Sequence, residues 1–241
     1  MIKIINQIIK KIIERSVNEI VDKKIASSFH LCSIAMRDVI IGDIDGDYLE
    51  FGANKGRSFI LAYLSYQNIS KKYNLELSKN HPGMRFIAFD AWEKGLPGEK
   101  GDNFNPPHWI KGSMNISKNN FIENLSKAGV NLNDVITVEG FYENTLNNNL
   151  AKELDIRKAA VIHFDCDLYI STIQALDFCK NLMDIGTIII FDDYFRYKGS
   201  ENHGQYKAFK EFQIKNPQFN FRYWTNLQGN STGFFLSNIE N

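Results

Sequence analysis

Two short runs in the 241-residue chain hold four carboxylates: Asp165 and Asp167 in HFDCDLYIST, and Asp192 with Asp193 in IIIFDDYF. Each run closes an apolar, strand-like segment. Carboxylates gathered at neighbouring strand ends repel one another unless a cation or shared protons intervene. Oxygen-only ligands with no cysteine partner suit a hard ion, Mg²⁺ first, with Mn²⁺ or Ca²⁺ as alternatives. The competing use is local, with one or two of these acids capping helices, as Asp167 would ahead of a helix at 171–183. Were a base needed, Asp165 is the economical candidate because it borders the metal; His108 is a second and His203 a third. His163 lies inside an apolar strand and reads as structural.

A second signal is Tyr48-Leu49-Glu50-Phe51-Gly52-Ala53-Asn54-Lys55-Gly56. Glycines at a strand-to-helix turn let the backbone approach a ligand, and the helix N-terminus adds donors. The spacing is not GxGxxG. Glu50 stands in an otherwise apolar strand, where a carboxylate is costly unless paired. It either holds a cationic ligand group or caps local backbone donors. A third signal is Phe86-Ile87-Ala88-Phe89-Asp90. An acid ending the second strand accepts from ribose hydroxyls in nucleotide-binding sheets. Its distance from the glycine turn exceeds the dinucleotide-fold norm of about 20 residues, which argues against NAD.

These residues need a sheet to bring them together, and the pattern supplies one. After an amphipathic helix at about 2–25 and a second helical stretch at about 26–40, strand-like and helix-like segments alternate. Strands are predicted at 48–51, 85–89, 135–139, 159–164 and 187–191. Helices are predicted at 58–73, 117–128 (with Ser117 as N-cap), 171–183 and 208–215, and the tail reads as two late strands. Such alternation predicts an α/β fold, a mostly parallel sheet with helices on both faces. The chain divides into an N-terminal helical extension, 1–41, and a main domain, 42–241. A loop rich in Gly, Pro and Asn at 93–115 is long enough to be functional.

Composition excludes several classes. Lys plus Arg number 28 and Asp plus Glu 28, for a formal net charge of zero, so the basic excess of a nucleic-acid binder is missing. Apolar residues make up 44%, enough for a substantial core. No apolar run reaches membrane-spanning length. Cys32, Cys166 and Cys179 form no CxxC pair, which disfavours a disulfide framework or a cysteine zinc site and fits a reducing cytoplasm. The first helix is expected to pack on the domain or on a second copy of the chain, giving a homo-oligomer. Its basic excess also allows peripheral contact with a membrane surface.

Taken in order, DGDYLEFGANKGRSF, FDAWEKGLPG, VEGFYENTL, HFDCDLYIST and IIIFDDYF resemble the macrocin O-methyltransferase (TylF-type) family over roughly residues 40–215. The resemblance implies a Rossmann-like class I methyltransferase sheet and Mg²⁺-assisted methyl transfer from S-adenosylmethionine to a sugar hydroxyl in a bacterial glycan or glycosylated natural product. By motif, Glu50, Gly52, Asn54 and Ser58 would surround the methionine part of the cofactor. Asp90 would bind the ribose, and Gly140 with Phe141 would lie near the adenine. Asp165, Asp192 and Asp193 would hold the metal, with Asp167 behind them or as an alternate ligand, and the loop 103–111 would cover the substrate. Ile170 stands where many members carry a glutamate, and Gln205 replaces a frequently acidic position. A non-methylating metal enzyme and a catalytically inactive dimerising scaffold are the rival readings.

Overall fold

The structure, a computed structural model, describes residues 30–72, 83–104, 107–147, 149–227 and 230–240. The expected helix at 2–25 lies outside the described residues. Seven strands form one sheet: β1 (Asp47–Phe51), β2 (Phe86–Asp90), β3 (Val135–Glu139), β4 (Ala159–Phe164), β5 (Ile188–Phe191), β6 (Phe219–Leu227) and β7 (Ser231–Ile239). Their order is β3-β2-β1-β4-β5-β7-β6. The first five are parallel, and β7 runs antiparallel between β5 and β6. The chain leaves β1 towards β2 on one side and later returns to β4 on the other. That reversal of direction opens a crevice at the carboxyl ends of β1 and β4.

Helices α1 (Leu31–Ile41), α2 (Arg57–Lys72) and α3 (Lys118–Lys127) join Tyr48, Phe86, Ala88, Val161 and Ile190 in one hydrophobic layer. Helices α6 (Tyr169–Cys179) and α7 (Gly204–Lys215) join Leu49, Phe51, Phe89, Ile162, Phe164 and Phe191 in the other. Two single-turn helices, α4 (Tyr142–Thr145) and α5 (Leu150–Glu153), lie between β3 and β4. Five residues of α1, Leu31, Cys32, Ala35, Met36 and Val39, are buried, so this stretch is part of the core. Ser117 caps α3 as expected, its Oγ accepting from the Asn120 N–H at 3.1 Å.

Phe89, Phe51, Phe164 and Phe191 lie side by side across β2, β1, β4 and β5, with centroid separations of 4.5, 5.6 and 4.9 Å and nearly parallel rings. All four are fully buried. Burying each is worth roughly 1.5–3 kcal/mol, and each ring pair roughly 0.5–1.5 kcal/mol more. Each phenylalanine is followed by Gly52, Asp90, Asp165 or Asp192. The ladder therefore fixes the level at which four strands release their chains into the crevice.

Candidate active site

A cavity of about 280 Å³ opens in this crevice. Gly52, Asn54, Asp90, Gly140, Phe141 and Asp165, six of the residues singled out in the sequence, line it. Gly52 has φ +95°, and a Cβ there would lie 1.9 Å from the Asp165 carbonyl oxygen, so this turn requires glycine. The Gly52 N–H donates to the Phe89 carbonyl and the Asp165 N–H to that of Phe51, both at 2.8 Å, which knits the strand ends together.

Asp90 is held by backbone. Its Oδ2 accepts from the Asn54 N–H at 2.7 Å and its Oδ1 from the Trp92 N–H at 2.6 Å. Burial raises its pKa against the pull of those bonds. Each carboxylate oxygen has room for a further donor. Asn54, at φ +43°, also donates through Nδ2 to the Met114 carbonyl at 3.1 Å, tying the glycine turn to the long loop.

Glu50 and Ser58 do not line the cavity. Glu50 is fully buried beneath it, where Oε1 accepts from Ser58 Oγ at 2.6 Å and Oε2 accepts from the Tyr48 hydroxyl. The pair anchors the first turn of α2 to β1. Glu50 thus bonds strand to helix, and its Oε2 also lies 3.4 Å from His163 Nδ1.

Asp165, Asp192 and Asp193 converge, with one carboxylate oxygen of each lying within 4.8 Å of the others. Burial and the neighbouring Asp192 push Asp165 well above the usual carboxylate range. Burial also raises Asp193, despite Arg196, whose Nε lies 3.1 Å from Asp193 Oδ1. Asp192 Oδ1 accepts from Ser231 Oγ at 2.8 Å. Asp167 lines the cavity outside this triad at φ +58°, and burial with Asp193 beside it raises its pKa. It does not cap α6; Leu168 holds the N-cap position. An all-oxygen set with mutually repelling charges fits Mg²⁺ by donor chemistry.

Gln205 explains its own departure from an acid. Its Oε1 accepts from the Asp193 N–H at 2.9 Å and its Nε2 donates to the Phe164 carbonyl at 3.0 Å, bridging the ends of β4 and β5. A carboxylate could accept but not donate. Ile170 lines the cavity. His163 is fully buried, and His108 is exposed on the loop.

Sequence reasoning missed two acids that pin the long loop. Glu99 accepts from the N–H groups of Tyr169 and Ile170 at 2.9 and 3.2 Å, capping α6 from outside the helix. Asp102 accepts from the Gly204 N–H at 2.7 Å, capping α7, and lies 2.5 Å from His203 Nδ1. Phe104 and Trp109 of the same loop pack with Leu168 and Tyr197. Two loop acids each meeting a helix N-terminus complement the partial positive charge there.

A β3-β2-β1-β4-β5 parallel sheet closed by a reversed strand, with a glycine turn after β1 and an acid at the end of β2, defines a class I methyltransferase fold. The sequence profile of the macrocin-O-methyltransferase (TylF) family matches residues 26–224, and the chain belongs to that family of O-methyltransferases. Among solved structures, the O-methyltransferase NovP is 18% identical with a TM-score of 0.63, the alignment covering 86% of this chain and 78% of that one. The calicheamicin methyltransferase CalS11 is 19% identical with a TM-score of 0.62, over 88% of this chain and 78% of that one. An O-methyltransferase from Bacillus cereus, in complex with SAH, is 15% identical with a TM-score of 0.54, over 94% and 91%. No curated protein matches the chain by sequence. No helix among the described residues is long and apolar enough to cross a membrane.

Proposed function

We propose that this chain transfers a methyl group from S-adenosylmethionine to a sugar hydroxyl, assisted by a divalent cation at Asp165, Asp192 and Asp193. The observation that carries this reading is the convergence of those three carboxylates beside a cavity whose other end is furnished by Asp90 and the glycine turn. The sugar acceptor draws support from CalS11, described as a TDP-rhamnose 3'-O-methyltransferase, which shares the fold.

Asp90, already oriented by two backbone N–H groups, accepts from the ribose hydroxyls through its remaining lone pairs. Gly52 and Asn54 keep the backbone close to the methionine moiety. Gly140 and Phe141 bound the adenine side. When bound, the cofactor supplies an electrophilic methyl group. Asp165, Asp192 and Asp193 would hold the cation, which would supply Lewis acidity towards the acceptor hydroxyl. Asp165, which lines the cavity and belongs to the carboxylate set, takes the hydroxyl proton. The loop 93–115, clamped at Glu99 and Asp102, excludes water, and holding donor and acceptor at attack distance supplies much of the rate. His108, exposed on that loop, is the second candidate for the base. Homo-oligomer formation and a cytoplasmic location complete the proposal.

Calorimetric titration with S-adenosylhomocysteine, with and without Mg²⁺, tests it. Micromolar binding is the expected result. No binding in either condition would sink the methyl-transfer reading.

A further inference from the structure

On the α1 side of the sheet, beneath the carboxylate triad, a different set of ligating side chains meets. His30 precedes α1, His163 lies in β4 and Asp192 follows β5, and one donor atom of each lies within 4.8 Å of the others. The two imidazole rings meet edge to face, with centroids 5.4 Å apart. His163 is fully buried, and its Nε2 makes no hydrogen bond of good geometry. Nδ1 of His30 is likewise buried without one. Glu50 Oε2 faces His163 Nδ1 at 3.4 Å. Buried polar atoms are nearly always satisfied, and a neutral imidazole carries one N–H and one lone pair, so each ring has a single nitrogen to offer a cation.

We propose that His30, His163 and Asp192 form a second cation site, selective for a borderline transition ion such as Zn²⁺ over Mg²⁺. Imidazole nitrogen suits zinc and its neighbours, whereas magnesium prefers oxygen alone. Two imidazoles and one carboxylate give three of the four ligands that zinc takes in tetrahedral sites. The fourth position is open to water or another donor. Asp192 is common to this set and to the all-oxygen triad, so the two sites adjoin. The inference rests on the geometry of His30 and His163, not on the methyl-transfer reading.

The test strips the full chain of metal and titrates it with Zn²⁺ against a chromophoric chelator, and with Co²⁺ as a spectroscopic probe. Expected are one Zn²⁺ per chain, bound at least 100-fold more tightly than Mg²⁺, and visible Co²⁺ bands of a four-coordinate nitrogen-containing site. His163→Gln sits in the core and risks unfolding. His30→Gln, at a half-buried helix start, is therefore the deciding variant, with its fold checked by thermal denaturation. It should weaken Zn²⁺ at least tenfold and leave Mg²⁺ affinity within twofold, whereas Asp192→Asn should weaken both. Zn²⁺ no tighter than Mg²⁺ in the unaltered chain, or Zn²⁺ affinity unchanged in His30→Gln, overturns the proposal. Failure to bind S-adenosylhomocysteine would leave it standing.

Discussion

Asp90 and Asp192 each follow the last phenylalanine of their strand, yet their carboxylates are held in opposite ways. Asp90 has a backbone N–H on each oxygen and stands apart from the acidic triad. Asp192 has one hydroxyl donor, Ser231, and sits with two other carboxylates inside a 4.8 Å set. A carboxylate steadied by neutral donors, with lone pairs to spare, is built to receive hydroxyls. Carboxylates crowded against one another are built to receive a cation. One sheet edge thus offers two kinds of recognition, and which one a strand end provides depends on what surrounds the acid, not on the acid itself.

The largest effect should come from Asp192→Asn. Removing a cation ligand takes away several kcal/mol of charge stabilisation, so turnover should fall by roughly 10³-fold. S-adenosylhomocysteine affinity, measured by calorimetry, should stay within a few-fold. Asp90→Asn should do the reverse. An amide can accept from only one of the two N–H groups through its single oxygen, and a lost charged hydrogen bond is worth roughly 1.5–3 kcal/mol. S-adenosylhomocysteine should then bind about 10–100-fold more weakly, with metal affinity unchanged. If Asp90→Asn spared cofactor affinity while Asp192→Asn destroyed it, the two roles would have to be exchanged.

A third substitution asks whether the two ends are mechanically joined. Gly52→Ala would push a Cβ onto the Asp165 carbonyl at a left-handed φ. Overpacking costs roughly 1–3 kcal/mol, and the left-handed backbone adds roughly 1–2. Thermal denaturation should show a melting temperature lower by roughly 5 °C or more. Because the clash is with the residue that begins the metal set, metal affinity should fall together with cofactor affinity. A variant that lost only one of the two would show the ends to be independent.

Much of this site could be read in the sequence because strand ends are local. An apolar run followed by Gly or Asp marks both the element and the point where it releases a functional residue, as at Phe51-Gly52, Phe89-Asp90, Phe164-Asp165 and Phe191-Asp192. The repeated phenylalanine was itself a usable signal, since each marks the same level in the sheet. Strands β3 and β4 were legible to the residue for the same reason. Glu50 was less legible: its isolation in an apolar strand showed that it must be paired, but not that Ser58 and Tyr48 were the partners. Glu99 and Asp102 could not be found at all. Their partners are backbone N–H groups at the starts of α6 and α7, far along the chain, and nothing in a Gly- and Pro-rich loop says which helix its acids will meet.

Those two loop acids also supply the smallest and most specific prediction, because their ionisation is biased in opposite directions. In Asp102 burial is outweighed by the Gly204 N–H and by His203, so its pKa is lowered. In Glu99 burial outweighs the N–H groups of Lys100, Ile170 and Tyr169, so its pKa is raised. A lowered carboxylate means that the unfolded chain binds more protons. Asp102 then stabilises the fold fully above the ordinary carboxylate value near 4, and loses that contribution as pH falls through its native value. For Glu99 the folded chain binds more protons, and stability drains away as pH rises through its raised native value. Melting temperatures of the unaltered chain, Asp102→Asn and Glu99→Gln across pH 3 to 7 should separate the two. The Asp102→Asn deficit, about 1 kcal/mol as for a lost helix cap, should shrink towards zero at the acid end. Glu99→Gln should instead gain on the unaltered chain as pH rises. Parallel pH slopes for the two variants would mean that the loop is not held by these caps, and the clamp over the active site would have to be sought in Phe104 and Trp109 instead.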